Sequence, residues 1–181
     1  MSIADAYAYL ARILEYPTDK QELLQAAAVV STVLDDHCSC GAIESFAAFI
    51  AASTQAALQE EYVATFDFNP AAAPYLGHHL YGDNQKKGGY MIRLKQEFIR
   101  YDFIPPGSEL PDHLAVVLDF LAHLASQEGH DARRQFIASY VLPGLQKFNA
   151  GFAACRPSPW QSVVNAAEVL CTADSKEVAP C

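Results

Sequence analysis

The chain has 181 residues, is 51% hydrophobic and carries 12 basic against 21 acidic residues, a net charge of −9. That length and apolar content suit one globular domain with a substantial core, and the acidic balance speaks against a nucleic-acid partner, because phosphate binding needs clustered lysine and arginine. The opening Met1-Ser2-Ile3-Ala4-Asp5 places no basic segment ahead of an apolar run, and no stretch reaches the ~18 uncharged apolar residues of a membrane span, so neither a secretory signal nor membrane insertion is expected.

Helical periodicity runs through almost the whole sequence. Ile3, Tyr7, Leu10 and Leu14 step by four, three and four and share one helix face. Pro17 ends that helix, and Thr18 or Asp19 can cap the next, whose apolar positions are Leu23, Leu24, Val30 and Leu34. After a loop around Asp35–Gly41, Ile43, Phe46, Ala47 and Ile50 form a third stripe, and Leu58, Tyr62 and Phe66 a fourth. The segment 68–82 has no sustained period and reads as a loop with one helical turn near 73–80.

A long helix is predicted from about Asp83 to Tyr101, with Met91, Leu94, Phe98 and Tyr101 on one face and Gly88-Gly89 weakening its start by ~1 kcal/mol each relative to alanine. The loop Pro105-Pro106-Gly107 leads to Glu109-Leu110-Pro111-Asp112-His113-Leu114, read as a helix start with Pro111 in the first turn, Asp112 at the positive end of the helix dipole and His113 resisting protonation there. Leu114, Val117, Leu118, Leu121 and Ala125 continue as a buried stripe. Ile137, Val141, Leu145 and Phe148 form another, which Pro143 must kink or split. Ser158-Pro159-Trp160-Gln161 reads as a capping box opening a last helix through about Cys171, with 172–181 a polar tail. With no alternating strand pattern, the expectation is an all-α bundle of about seven or eight helices in one domain spanning 1–171.

The polar clusters admit bland and functional readings. Glu109, Asp112 and His113 carry more polar chemistry than a helix start needs. Asp119 and His123 stand four apart, a spacing open to a metal but commoner as a solvated pair. His78 and His79 point about 100° apart on a helix and so cannot readily share one metal. Asp67, at the negative end of a helix, calls for a compensating partner, which could be an arginine or lysine of a bound molecule or, more blandly, water or Arg93. Five cysteines (38, 40, 155, 171 and 181) without a Cys-x-x-Cys pair favour a reducing compartment, and Cys38-x-Cys40 is a poor zinc half-site.

Several blocks resemble one family. Glu109-Leu110-Pro111-Asp112-His113-Leu114 is similar to the motif at the start of a central helix in the NarJ/TorD chaperones, which mature molybdenum enzymes. Ile13-Leu14-Glu15-Tyr16-Pro17 resembles the end of the first helix of the NarJ branch. Tyr62-Val63-Ala64-Thr65-Phe66-Asp67 is similar to its Tyr-x-x-Leu-Phe-Asp segment, with Thr65 in the Leu place, and Leu76–Asp83 resembles its histidine-containing approach to a Gly-acid turn, with His79 favoured as the family's histidine. Thr65 and Phe68-Asn69-Pro70 depart from the pattern, and the tail is short.

The resemblance implies a cytoplasmic chaperone without catalytic residues or cofactor. Its partner would be the apo catalytic subunit of a molybdoenzyme, nitrate reductase first among the candidates. The implied client-peptide positions are Tyr62, Phe66, Asp67, His79, Glu109, Pro111, Asp112, His113, Leu114, Val117 and Asp119, in a groove between the helices near 58–66 and 111–125. Gly82, Asp83, Gly88 and Gly89 form an implied hinge, about which related chaperones exchange helices into a homodimer. Two competing classes are weaker. A guanine-nucleotide-binding regulator finds no glycine-rich phosphate loop, and a helical metal-dependent hydrolase would have to use His79, Asp112, His113 and His123 without regular ligand spacing.

Overall fold

The structure, a computed structural model, describes residues 2–37, 43–127, 130–153 and 156–176. Cys38, Cys40, Cys155 and Cys181 therefore lie outside the described residues, while Cys171 is free and buried. Among the described residues the fold is all-α, its only β-type pairing an isolated antiparallel bridge between Tyr75 and His113.

The first half follows the apolar stripes. α1 (Ile3–Ile13) opens on a capping box between Ser2 and Asp5 and buries Tyr7 and Leu10, with Leu14 just beyond. α2 (Lys20–His37) starts where Asp19 Oδ1 accepts the Gln21 N–H at 2.7 Å, and its positions Leu23, Val30 and Leu34 are buried. α3 (Glu44–Ala52) buries Phe46 and Ile50. α4 (Gln55–Phe66) is capped by Thr54 and buries Leu58, Tyr62 and Phe66. A 3₁₀ turn (Pro70–Ala72) and the short α5 (Leu76–Tyr81) occupy the aperiodic segment.

The second half departs from expectation at its helix boundaries. α6 spans Lys86–Arg100 and buries Tyr90, Leu94 and Phe98. α7 spans Leu114–Ser126, so it begins three residues after Pro111, with His113 as its N-cap. It is the central helix, with Leu114 to Leu118 buried without interruption and α1 packed along it. α8 (His130–Phe136) passes through a π-helical turn at Ile137–Val141 into α9 (Leu142–Ala153). The π turn lies at the kink expected from Pro143: an α-helical proline loses one hydrogen bond and crowds the carbonyl four residues back, and a wider turn relieves both.

α10 runs over Trp160–Lys176, five residues beyond the expected end at Cys171. The reason is long-range: Asp174 accepts from Arg133 Nε at 2.6 Å, Arg133 Nη2 at 2.8 Å and Tyr7 OH at 2.8 Å, all buried. At the other end of α10, Trp160 meets Phe46, Phe49, Tyr62 and Phe66 edge-on and donates its indole N–H to Ile13 O at 3.2 Å. This aromatic cluster fixes the C-terminal turn of α4, on which the candidate site is built.

Candidate functional site

The site begins with two backbone bonds. Leu76 N–H donates to Asp112 O at 2.9 Å, and Leu114 N–H to Pro74 O at 2.7 Å, which ties the start of α5 to the start of α7. Asp112 Oδ2 also accepts the Gly77 N–H at 3.1 Å. A Cβ at position 77 would lie 2.7 Å from that oxygen, so only glycine permits the approach. This pairing holds residues 112–113 out of the helix and explains why Pro111 is not its first residue.

Beside this knot lies a groove of about 480 Å³. Tyr62 and Phe66 reach it from α4 and Asp67 from the cap that ends that helix, Pro74, Tyr75 and His78 from the turn before and within α5, and Glu109 and His113 from the segment before α7. Asp67 and Glu109 are exposed, and neither makes an ion pair among the described residues, with Arg93 or any other base. Among the described residues no lysine or arginine lines the groove. Tyr75 donates its hydroxyl to Glu109 at 3.1 Å, and burial followed by the Glu109 charge raises its ionisation to about 12, so it remains a donor. Tyr62 shows the groove its ring and spends its hydroxyl on Leu14 O at 2.9 Å.

His113 forms the inner wall. Its Nδ1 accepts the Ala115 N–H at 3.2 Å, and its ring stands edge-on to Tyr75 at 5.1 Å. Burial holds its protonation below the usual histidine range, against the raising influence of Glu109 and Asp112. The expected resistance to protonation therefore has burial as its leading cause. His78 faces the groove, whereas His79, the residue the resemblance favours, stacks on Phe148 at 4.5 Å and donates Nε2–H to Ala73 O at 2.7 Å.

Other expected site residues lie elsewhere. Asp112 is fully buried, so it cannot meet a peptide's cation as a surface lip would; its Oδ1 has no hydrogen-bond partner, and burial raises its ionisation against the pull of Lys87. Pro111 is buried, and Leu114 and Val117 are core. Asp119, on α7, is partly buried near Glu15 and Arg12, with its ionisation raised to about 6 chiefly by burial, while His123 bonds to Tyr101 O at 2.8 Å. Among the described residues no three His, Cys, Asp or Glu side chains converge on a metal-sized space. Of the hinge residues, Gly82 has φ +58° and closes α5, Asp83 is exposed, and Gly88 and Gly89 lie within the first turn of α6. Sequence reasoning missed Pro74 and Tyr75, which no local pattern marks; only the bridge to His113 reveals them.

A family model for the nitrate reductase delta subunit matches residues 34–150, which takes in every residue of the groove. The chain belongs to the nitrate reductase delta subunit family. Relatives of this delta-type chain include the nitrate reductase-like protein NarX of Mycobacterium tuberculosis, 34% identical over 96 residues, which cover 53% of this chain and 14% of that one. The nitrate reductase molybdenum cofactor assembly chaperone NarJ of Escherichia coli is 27% identical over 151 residues, 80% of this chain and 63% of the relative. The chaperone protein TorD of Shewanella amazonensis is 34% identical over 71 residues, 39% of this chain and 28% of the relative. The delta-type chain thus matches between 14% and 63% of the length of these relatives. No helix of its described residues is long and apolar enough to cross a membrane.

Proposed function

We propose that this protein is a cytoplasmic maturation chaperone for a molybdenum oxidoreductase, with a nitrate reductase as the leading client. It holds the apo catalytic subunit by a basic, partly apolar N-terminal segment and keeps that subunit open until the molybdenum cofactor is inserted. The chaperone itself makes and breaks no bonds. The observation that carries this reading is the groove: aromatic walls with Asp67 and Glu109 at its rim, neither paired with a cation among the described residues. A bound arginine or lysine would supply the missing charge, each charge-assisted contact being worth ~1.5–3 kcal/mol. The aliphatic part of the segment would lie on Tyr62, Phe66 and Tyr75, helix-in-groove fashion. The assignments in the relatives' names support the same role. Exchange of helices about Gly82–Gly89 would give a homodimer of this chaperone.

The test is genetic and analytical. Deleting the chain from its host should leave the nitrate reductase catalytic subunit present but short of molybdenum, and re-expression should restore metal content and activity. A deletion strain whose reductase carries its full molybdenum content would contradict the proposal.

A further inference from the structure

α4 carries apolar residues outside its buried face as well, interleaved there with Gln59 and Glu60. Its inner face buries Leu58, Tyr62 and Phe66, as a bundle helix must. Its outer face carries Ala56, Val63 and Ala64, and with Tyr16 and Phe68 these line a second concavity of about 410 Å³. The concavity is open to solvent: Phe68, just past the end of α4, is 80% exposed and Tyr16, just past the end of α1, 49%. Tyr16 is held in place from below: Gln55 and Gln59 of α4 both donate to Pro17 O, at 2.5 and 3.0 Å. The Leu14-Glu15-Tyr16-Pro17 segment therefore builds this wall as well as ending α1.

The two concavities adjoin. Tyr16, in the outer one, stands edge-on to Tyr62, in the groove, with ring centres 5.6 Å apart, and Phe66-Asp67-Phe68 passes from one to the other. Glu60 lines the outer concavity and Asp67 the groove, so acid flanks both. We infer that the outer face of α4 is a second subsite of the client groove, which seats an aliphatic side chain of the segment whose basic residue lies at Asp67 and Glu109. The inference rests on the groove being the client site. Its occupant follows from continuity with that groove and from chemistry: an apolar floor with acidic flanks takes a segment that is aliphatic and basic at once. Leucine or isoleucine on Tyr16, Val63 and Phe68 is the anchor.

The experiment uses the full chain and two synthetic helical peptides. One carries an arginine pair followed by two leucines a turn apart, and the other has both leucines changed to serine. Affinities are measured by fluorescence anisotropy for wild type, Phe68→Ser with Val63→Ser, and Asp67→Asn with Glu109→Gln, with circular dichroism as a check on folding. The outer-face pair should bind the leucine peptide about tenfold more weakly, the loss of roughly one aliphatic contact, and bind the serine peptide no differently from wild type. If only the acid-to-amide pair weakens binding, the subsite is refuted and the groove stands. If neither peptide binds wild type, both fall. A concentration-dependent dimer of the wild type that the Phe68→Ser, Val63→Ser pair abolishes would assign the face to a second copy and overturn the inference.

Discussion

His113 accepts the Ala115 backbone N–H at Nδ1, 3.2 Å away, and this one bond links the start of α7 to the chemistry of the groove. A nitrogen that accepts cannot carry the proton, so the neutral ring keeps its hydrogen on Nε2. The groove wall is therefore a donor at neutral pH, suited to a peptide carbonyl. Protonating Nδ1 would break the cap. Because burial depresses the folded-state protonation of His113, the unfolded chain binds the extra proton first.

Stability contributed by His113 is thus present above about pH 6.5 and lost as the pH falls through the depressed folded value. Urea unfolding between pH 5 and 8 should show this loss, and His113→Asn, which can keep the cap without titrating, should reduce it. His79, also depressed by burial, accounts for a remaining slope. At pH 7.5, His113→Ala should cost ~1 kcal/mol, the usual price of a lost N-cap.

Asp112 works in the opposite sense. Its ionisation is raised, so its contribution is largest below the unfolded carboxylate range and is lost as the pH rises through the folded value. Asp112→Asn keeps an acceptor for the Gly77 N–H while removing a buried charge, and should leave stability at pH 7 unchanged or higher. Asp112→Ala strands that N–H and should cost ~1–3 kcal/mol. A chemical-denaturation series over the three forms checks the order. A fall in client activation in Asp112→Ala would then report a distorted groove, because the carboxylate is sealed from the peptide.

The Arg133–Asp174 pair should be the most sensitive polar contact in the fold. Both side chains are buried, and removing Asp174 strips the guanidinium of the carboxylate that accepts two of its N–H groups. Asp174→Ala is expected to lower stability by ~3–5 kcal/mol, and Tyr7→Phe, which loses one bond to the same carboxylate, by ~1 kcal/mol. Thermal and urea melts of the two variants decide it.

Asp119, raised to about 6 chiefly by burial, should behave in the same sense as Asp112. Asp119→Asn is expected to add on the order of 1 kcal/mol at pH 7.5 and nothing at pH 4, once partial solvent screening is allowed for. The check is the difference in urea midpoint between the two pH values.

The all-α class was legible because burial on one helix face imposes a 3.6-residue period, and Tyr7, Leu10, Leu58, Phe66, Leu145 and Phe148 all obey it. Helix ends were legible only where local chemistry decides them, as at Asp19. The start of α7 was misplaced by three residues because the pairing of 112–114 with 74–76 joins segments far apart in sequence, and the end of α10 because Asp174 finds Arg133. The same blindness affected the site. Tyr62, Phe66, Asp67, Glu109 and His113 do meet in one groove, but sequence spacing cannot tell a carboxylate at the rim from Asp112 one strand-like turn beneath it.

The most direct measurement titrates the N-terminal segment of the nitrate reductase catalytic subunit from the same host into the purified chain by calorimetry. Wild type should bind it with an affinity that falls as salt rises, and Asp67→Asn with Glu109→Gln should bind at least about tenfold more weakly while melting like wild type. Equal affinity in the two forms, with no dependence on salt, would contradict the account.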